Sequence, residues 1–231
     1  MNKLQHISII PDGNRRYALK YKTSLRESYS RGLNNIIDFS ILAKRYGIKE
    51  ITFFVLSQDN YEERSKEELK ILLSVGKMFL KRDKKLNQMK RHFKICFYGN
   101  FKKLPEDLLN EMDKTAFETR NNKGMTINLL INYDGKQDLI YAANWEGINN
   151  FSFLNKKDGI NSFSERLQTS GIHDLDLIIR TGGRKRLSGL LPWQACYAEL
   201  FFLDCLWGEF KLEDFEQVLN DYKSIQRNFG K

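Results

Sequence analysis

HISIIPDGNRRY, residues 6–17, joins a short apolar run directly to a cluster of polar and charged side chains. An apolar run that stops at a proline, here Pro11, reads as a buried strand. Asp12-Gly13-Asn14 reads as a tight turn, with Gly13 free to take positive φ. A carboxylate, a permissive glycine and paired arginines, Arg15 and Arg16, at the C-terminal end of a strand suit a phosphorylated ligand and a metal. The same residues also suit an ordinary strand-to-helix turn with a solvated basic patch. This stretch alone does not choose between the two.

Outward from it, strand and helix patterns alternate. A short helix or loop over 14–22 leads to a helix over 28–46. There Leu33, Ile36, Ile37, Ile41 and Leu42 recur at helical spacing, and Gly47 stands at the C′ position. KEITFFVL, 49–56, is a second strand, and SQDN, 57–60, is its C-terminal loop. One long helix is expected over 64–89. Further strands are expected over 92–98, 125–131, 175–179 and 198–203. Further helices are expected over 104–118, 137–143, 163–169 and 212–227, with an Asn- and Gly-rich loop over 145–157. This alternation predicts an α/β fold with a mostly parallel central sheet of about six strands flanked by helices, in one domain over 1–231.

The 231 residues suit one large domain, and 41% hydrophobic content suffices for a sizeable core. Sixteen phenylalanines suit a large apolar cavity as well as a core. The net charge of +9 attracts phosphates of any kind, in nucleic acid, at an anionic lipid surface or on a diphosphate substrate. Three cysteines without metal-ligand spacing read as free thiols in a reducing compartment, and three scattered histidines argue against zinc. No segment approaches a membrane span, and the N-terminal residues lack a signal-peptide pattern. A cytoplasmic protein is expected, with peripheral membrane contact as its furthest association.

Three strand ends are unusually polar: 12–16, 57–64 and 180–188. In a parallel sheet such ends face the same way and form the ligand crevice, so these loops can meet at one site. RTGGRKRLS, 180–188, is the most anion-adapted. Arg180 and Arg186 can each fork onto phosphate oxygens. Gly182 and Gly183 would let backbone N–H groups approach an oxyanion, and Ser188 adds a hydroxyl. A basic surface turn or a nucleic-acid contact would account less well for its delivery by the apolar strand before it. Glu199 lies in the apolar stretch LLPWQACYAELFF. It is costly there unless paired with a cation, which makes it either a salt-bridge partner of an arginine or a Mg²⁺ ligand. No GxSxG elbow, GxxxxGK[ST] loop or DDxxD cluster occurs.

HISIIPDGNRRYA at 6–18, FVLSQDNYEERSKEE at 54–68, INYDGKQDL at 131–139 and DLIIRTGGRKRLSGLLPWQACYAELFF at 176–202 together resemble the cis-prenyltransferases, the undecaprenyl diphosphate synthase family. The resemblance implies a homodimer with a hydrophobic tunnel between sheet and helices. It also implies Mg²⁺-dependent condensation of isopentenyl diphosphate with an allylic diphosphate (dimethylallyl, geranyl, farnesyl or geranylgeranyl), giving a cis double bond. By the same resemblance, Asp12 is catalytic and handles Mg²⁺. Gly13, Asn14, Arg15 and Arg16 cradle the allylic diphosphate, with Tyr17 beside it. Ser57, Gln58, Asp59 and Tyr61 belong to the next substrate loop. Asn60 assists loss of a proton from isopentenyl diphosphate; a neutral amide is a poor base, so positioning is its expected contribution. Arg180, Arg186, Leu187 and Ser188 bind isopentenyl diphosphate, and Glu199 its Mg²⁺.

The chain departs from the family pattern at several positions. Tyr29 stands where a histidine is common, so a substrate contact through its hydroxyl survives but histidine acid–base chemistry does not. Leu25 takes the register of a usual arginine, with Arg26 beside it. Arg64, rather than Glu63, is expected to reach phosphate. Arg184 replaces a usual glutamate and Gly189 a usual asparagine. Besides regular chain elongation, three alternatives stay open: an irregular coupling enzyme making branched or cyclic short isoprenoid diphosphates, a noncatalytic partner subunit, and a basic nucleic-acid module. The last lacks a reader motif.

Overall fold

Every residue of β1 (His6–Ile10) is buried, because this strand is interior to a six-stranded sheet of order β3-β4-β2-β1-β5-β6. The other strands are β2 (Glu50–Ser57), β3 (Lys94–Tyr98), β4 (Thr126–Tyr133), β5 (Leu177–Arg180) and β6 (Glu199–Phe202). All five pairings are parallel, with Ile7 opposite both Ile51 and Leu177. The chain, in this computed structural model, is described over residues 4–144 and 157–225. Most of the loop expected over 145–157, and the last residues of the helix expected to reach 227, lie outside them.

The sheet has two unlike faces. Ile7, Ile9, Ile51, Phe53, Ile127, Leu129, Leu177 and Ile179 point into the main core. That core is covered by residues of α2 (Leu25–Arg45), α4 (Lys66–Arg82), α5 (Lys84–Met89), α6 (Glu106–Thr119) and α9 (Leu212–Ser224). The opposite face joins a smaller apolar cluster around Ile10, Phe54, Leu130 and Tyr133 to a buried polar row. In that row His6 Nδ1 donates to the His173 carbonyl at 2.8 Å, and its Nε2 lies 2.8 Å from Thr52 Oγ1. A carbonyl can only accept, so the proton sits on Nδ1 and the Thr52 hydroxyl donates to Nε2. His173 Nδ1 in turn lies 2.7 Å from Glu50 Oε2.

Capping residues account for most differences from the expected boundaries. Ser24 and Glu27 form a capping box that starts α2 at Leu25 rather than at residue 28. The expected loop 57–60 is instead the last strand residue and the start of a short helix, α3 (Gln58–Glu63), capped by the Ser57 side chain. The single helix expected over 64–89 is two, because Asp83 is extended and its carboxylate accepts from Leu86 N at 2.8 Å. An internal Asp favours this N-cap geometry over continuing a helix. The first turn after β1 is helical, as α1 (Asn14–Tyr21). α7 (Gly135–Ala143) follows β4, and α8 spans Lys157–Arg166 rather than the expected 163–169.

Candidate active site

The C-terminal ends of β1, β2 and β5 open onto a cavity of about 880 Å³, walled on the other side by α2 and α4. Gly13 follows β1 and caps α1 at φ 111°, in the left-handed region. A Cβ there would lie 2.9 Å from Leu206 Cδ2, so the position demands glycine both sterically and conformationally. This turn aims Asp12 into the cavity. Gly32, on α2 opposite, allows a second close approach. A Cβ on it would lie 2.9 Å from Asn14 Oδ1 and 3.0 Å from the Trp207 ring.

Asp12 is the electrostatic centre. Its Oδ2 accepts from Arg180 NH2 at 2.8 Å and its Oδ1 from Arg16 NH2 at 3.2 Å. The Arg180 side chain is nearly buried and joins two loops. Its NH1 donates to the Arg186 carbonyl at 2.7 Å and to Ser188 Oγ at 2.8 Å. Its buried Nε has no hydrogen-bond partner among the described residues. Arg180 therefore holds Asp12 and the 186–188 turn together more than it offers a free fork to a ligand. Arg16 NH1 is also tied, to the Gly182 carbonyl at 2.8 Å. The expectation that Gly182 and Gly183 present N–H groups to an oxyanion is corrected. Gly182 N donates to the Cys205 carbonyl and Gly183 N to the Leu203 carbonyl. Their left-handed φ values, 84° and 70°, serve the turn that carries Arg184 and Arg186.

From the second loop, Ser57, Asp59, Asn60, Glu63 and Arg64 line the cavity. Arg64 is held by Glu68, whose Oε1 lies 3.2 Å from Arg64 Nε and accepts from the Tyr29 hydroxyl at 2.7 Å. Arg15 NH1 stands 3.8 Å from the other Glu68 oxygen. Burial first, and the Glu68 hydrogen bond second, push the Tyr29 phenol well above its ordinary range, so it stays protonated and donating. In all, the lining carries six arginines against three carboxylates, a balance suited to ligands bearing several negative charges. The remaining wall is apolar: Ile10, Leu33, Ile36, Phe54, Val55, Leu72 and Trp207.

Of the residues singled out in the sequence, Asp12, Gly13, Asn14, Arg15, Arg16, Tyr29, Ser57, Asp59, Asn60, Arg64, Arg180, Arg186 and Ser188 come together at this cavity. Others do not. Tyr17 packs away from it, against Tyr21 at 4.5 Å between ring centroids and against Gly208, with the Arg31 guanidinium over its ring. Gln58 turns to Glu62, and the Tyr61 hydroxyl donates to the Lys103 carbonyl at 2.6 Å. Leu187 packs on the smaller apolar cluster. Glu199 pairs in register with Leu177, whereas Arg180 pairs with Phe202. Three strand residues therefore separate the level of Glu199 from that of Arg180, roughly 10 Å. Within one chain Glu199 lies at the far end of β6 from Asp12. Glu68, Arg184 and Trp207 were not assigned to the site from the sequence. The i,i+4 spacing of Arg64 and Glu68 was the available signal for the first.

The prenyltransferase family model, undecaprenyl diphosphate synthase, matches residues 10–230, nearly the whole chain and every loop of the cavity. The chain belongs to the cis-prenyltransferase family. Among curated relatives, an isoprenyl transferase of Treponema denticola is 33% identical over 229 residues, covering 99% of this chain and 98% of the relative. Among solved structures, lavandulyl diphosphate synthase from Lavandula x intermedia, in complex with dimethylallyl diphosphate, superposes with a TM-score of 0.89 at 28% identity, covering 99% of both chains. The fold is also that of a probable undecaprenyl diphosphate synthase from Campylobacter jejuni, with a TM-score of 0.76 at 23% identity over the full length of both.

Among the described residues no cluster of three or more His, Cys, Asp or Glu side chains could hold a metal by itself. Mg²⁺ commonly binds through one or two carboxylates together with substrate phosphates. Asp12, in an arginine-rich cavity, fits that donor set as a protein ligand. No helix of the described residues is long and apolar enough to cross a membrane.

Proposed function

We propose that this chain is a cis-prenyl diphosphate synthase that condenses isopentenyl diphosphate with an allylic prenyl diphosphate in a Mg²⁺-dependent reaction. The observation that carries the reading is the placing of Asp12 between Arg16 and Arg180 at the mouth of a cavity whose deeper wall is apolar. Arg15, Arg16 and Asn14 take the allylic diphosphate, and Arg186, Ser188 and Arg184 take isopentenyl diphosphate. Mg²⁺, held by Asp12 and phosphate oxygens, would neutralise charge developing on the departing diphosphate. The allylic cation left behind needs a dry surround, which Ile10, Leu33, Ile36, Phe54 and Trp207 supply. Asn60 sits on the exposed rim and positions isopentenyl diphosphate; the released diphosphate accepts the proton.

The active form in this reading is a homodimer. Glu199 serves as a metal ligand only if a second copy presents it, because its own chain keeps it away from Asp12. Incubating labelled isopentenyl diphosphate with dimethylallyl, geranyl, farnesyl and geranylgeranyl diphosphates, with Mg²⁺ or with chelator, tests the whole. A longer prenyl diphosphate should form only with metal. The absence of condensation with every primer would overturn the reading.

One observation favours a second reading. The close overall likeness to a lavandulyl diphosphate synthase fits irregular coupling of two five-carbon diphosphates. Product formed from dimethylallyl diphosphate alone would support it.

A further inference from the structure

The depth of the cavity limits what it can make. Along α2 the lining runs from Tyr29 to Ile36 and stops. At about 1.5 Å per residue this is roughly 10 Å. An extended isoprene unit adds four bonds of about 1.5 Å, roughly 5 Å of length. Below Ile36 the space is filled. Phe53, two residues deeper on β2 than Val55, is fully buried, and its ring lies 6.4 Å from that of Trp207. Trp207 is pinned by a hydrogen bond from Nε1 to the Gly32 carbonyl at 3.0 Å and backed by Phe39 at 5.2 Å. On α4, Leu72 lines the cavity, but Val75 and Leu80 further along are core.

We propose that the enzyme stops after one or two couplings and releases a product of ten to fifteen carbons, with Phe53 and Trp207 as the floor and Ile36 closing the α2 side. This rests on the prenyl diphosphate synthase reading above. The test is to size the products of the full-length protein supplied with excess isopentenyl diphosphate and each allylic primer. Two variants, Ile36→Ala and Phe53→Leu, are assayed beside it, with circular dichroism to show that they fold. Products of ten to fifteen carbons from dimethylallyl and geranyl diphosphates, no elongation of farnesyl or geranylgeranyl diphosphate by the parent, and lengthening by at least one unit in a folded variant are expected. Chains of twenty carbons or more from the parent would overturn the inference while leaving the condensation reading intact. Unchanged product lengths in folded variants would overturn the assignment of the floor. No product from any primer would overturn the condensation reading and this inference with it.

Discussion

Removing the Asp12 carboxylate should separate two properties that usually move together: binding of diphosphate and turnover. In Asp12→Ala, Arg180, 4% exposed, loses its charged partner, and Arg16 loses a contact. Breaking a buried ion pair costs about 3–5 kcal/mol. The Asp12 side chain is 29% exposed, and NH1 of Arg180 keeps both of its bonds, so a loss nearer ~2 kcal/mol is expected. For a chain of this size that lowers Tm by about 4–8 °C and leaves the fold intact. In the absence of metal, the same deletion strips a negative charge from a site that receives an anion. At ~5 Å and an effective dielectric near 20, a unit charge pair is worth about 3 kcal/mol. Screening in an open cavity reduces that to ~1.4 kcal/mol, roughly tenfold. Calorimetric titration with pyrophosphate in chelator should therefore show tighter binding to the variant. With Mg²⁺ present, turnover should fall by on the order of 10²–10³ or more, the scale seen when a key transition-state contact is deleted. Near-normal turnover, or weaker metal-free pyrophosphate binding in a folded variant, would refute the account of Asp12 as the group that trades arginine partners for metal.

Arg186→Ala should raise the KM for isopentenyl diphosphate several-fold more than that for the allylic substrate in steady-state assays; an effect confined to the allylic substrate would exchange the two sites. Glu68→Ala releases both Tyr29 and Arg64, and should raise the allylic KM by about tenfold while Tyr29→Phe, which leaves the Arg64 ion pair, raises it less. Gly32→Ala should cost about 1–3 kcal/mol in denaturant unfolding, since its Cβ meets Asn14 and Trp207 at 2.9–3.0 Å. Burial holds the His6 imidazole below its ordinary 6.5, so the unfolded chain takes up the proton first. The stability due to neutral His6 is accordingly full above pH 6.5 and is lost as pH falls through that value toward the folded pKa; an unfolding midpoint flat from pH 7.5 to 5 would contradict this.

The strands were legible because each is a run of apolar residues long enough to cross a sheet, and 6–10 and 49–56 are examples whose cores the structure keeps. Helix ends were less legible. Ser24, Ser57, Ser65 and Asp83 each accept from a backbone N–H in the first turn that follows, and such caps move a boundary by several residues without altering the apolar pattern. The residues at strand ends meet at the cavity because a parallel sheet gathers those ends. Tyr17 was misplaced because residue type alone does not reveal that Gly208 leaves room for its ring on the far side of α1. Glu199 illustrates the limit most clearly. Its setting in an apolar stretch marked it as unusual, but only the pairing register shows that it starts β6 at the level of Leu177, away from Arg180.

The opposing characters of the two sheet faces account for where the chemistry lies. Ile9, Phe53 and Ile179 on one face pack under the apolar stripes of the helices above them, and the cavity opens at the strand ends beside Gly32 and Leu33. On the other face Ser8 donates to the Thr52 carbonyl and the Asn128 amide nitrogen donates to Thr52 Oγ1, while His6 reaches the turn bearing His173. Ile10 and Arg180 lie beside each other where the two arrangements meet, since Ile10 pairs with Arg180 in register. A buried guanidinium at that seam needs an anion, and among the described residues Asp12, two residues past the end of β1, supplies it. The apolar wall and the charged mouth are therefore consequences of one strand pairing. A substitution that shifted β1 against β5 should abolish diphosphate binding and prenyl-chain binding together, whereas Ile36→Ala should alter only the second.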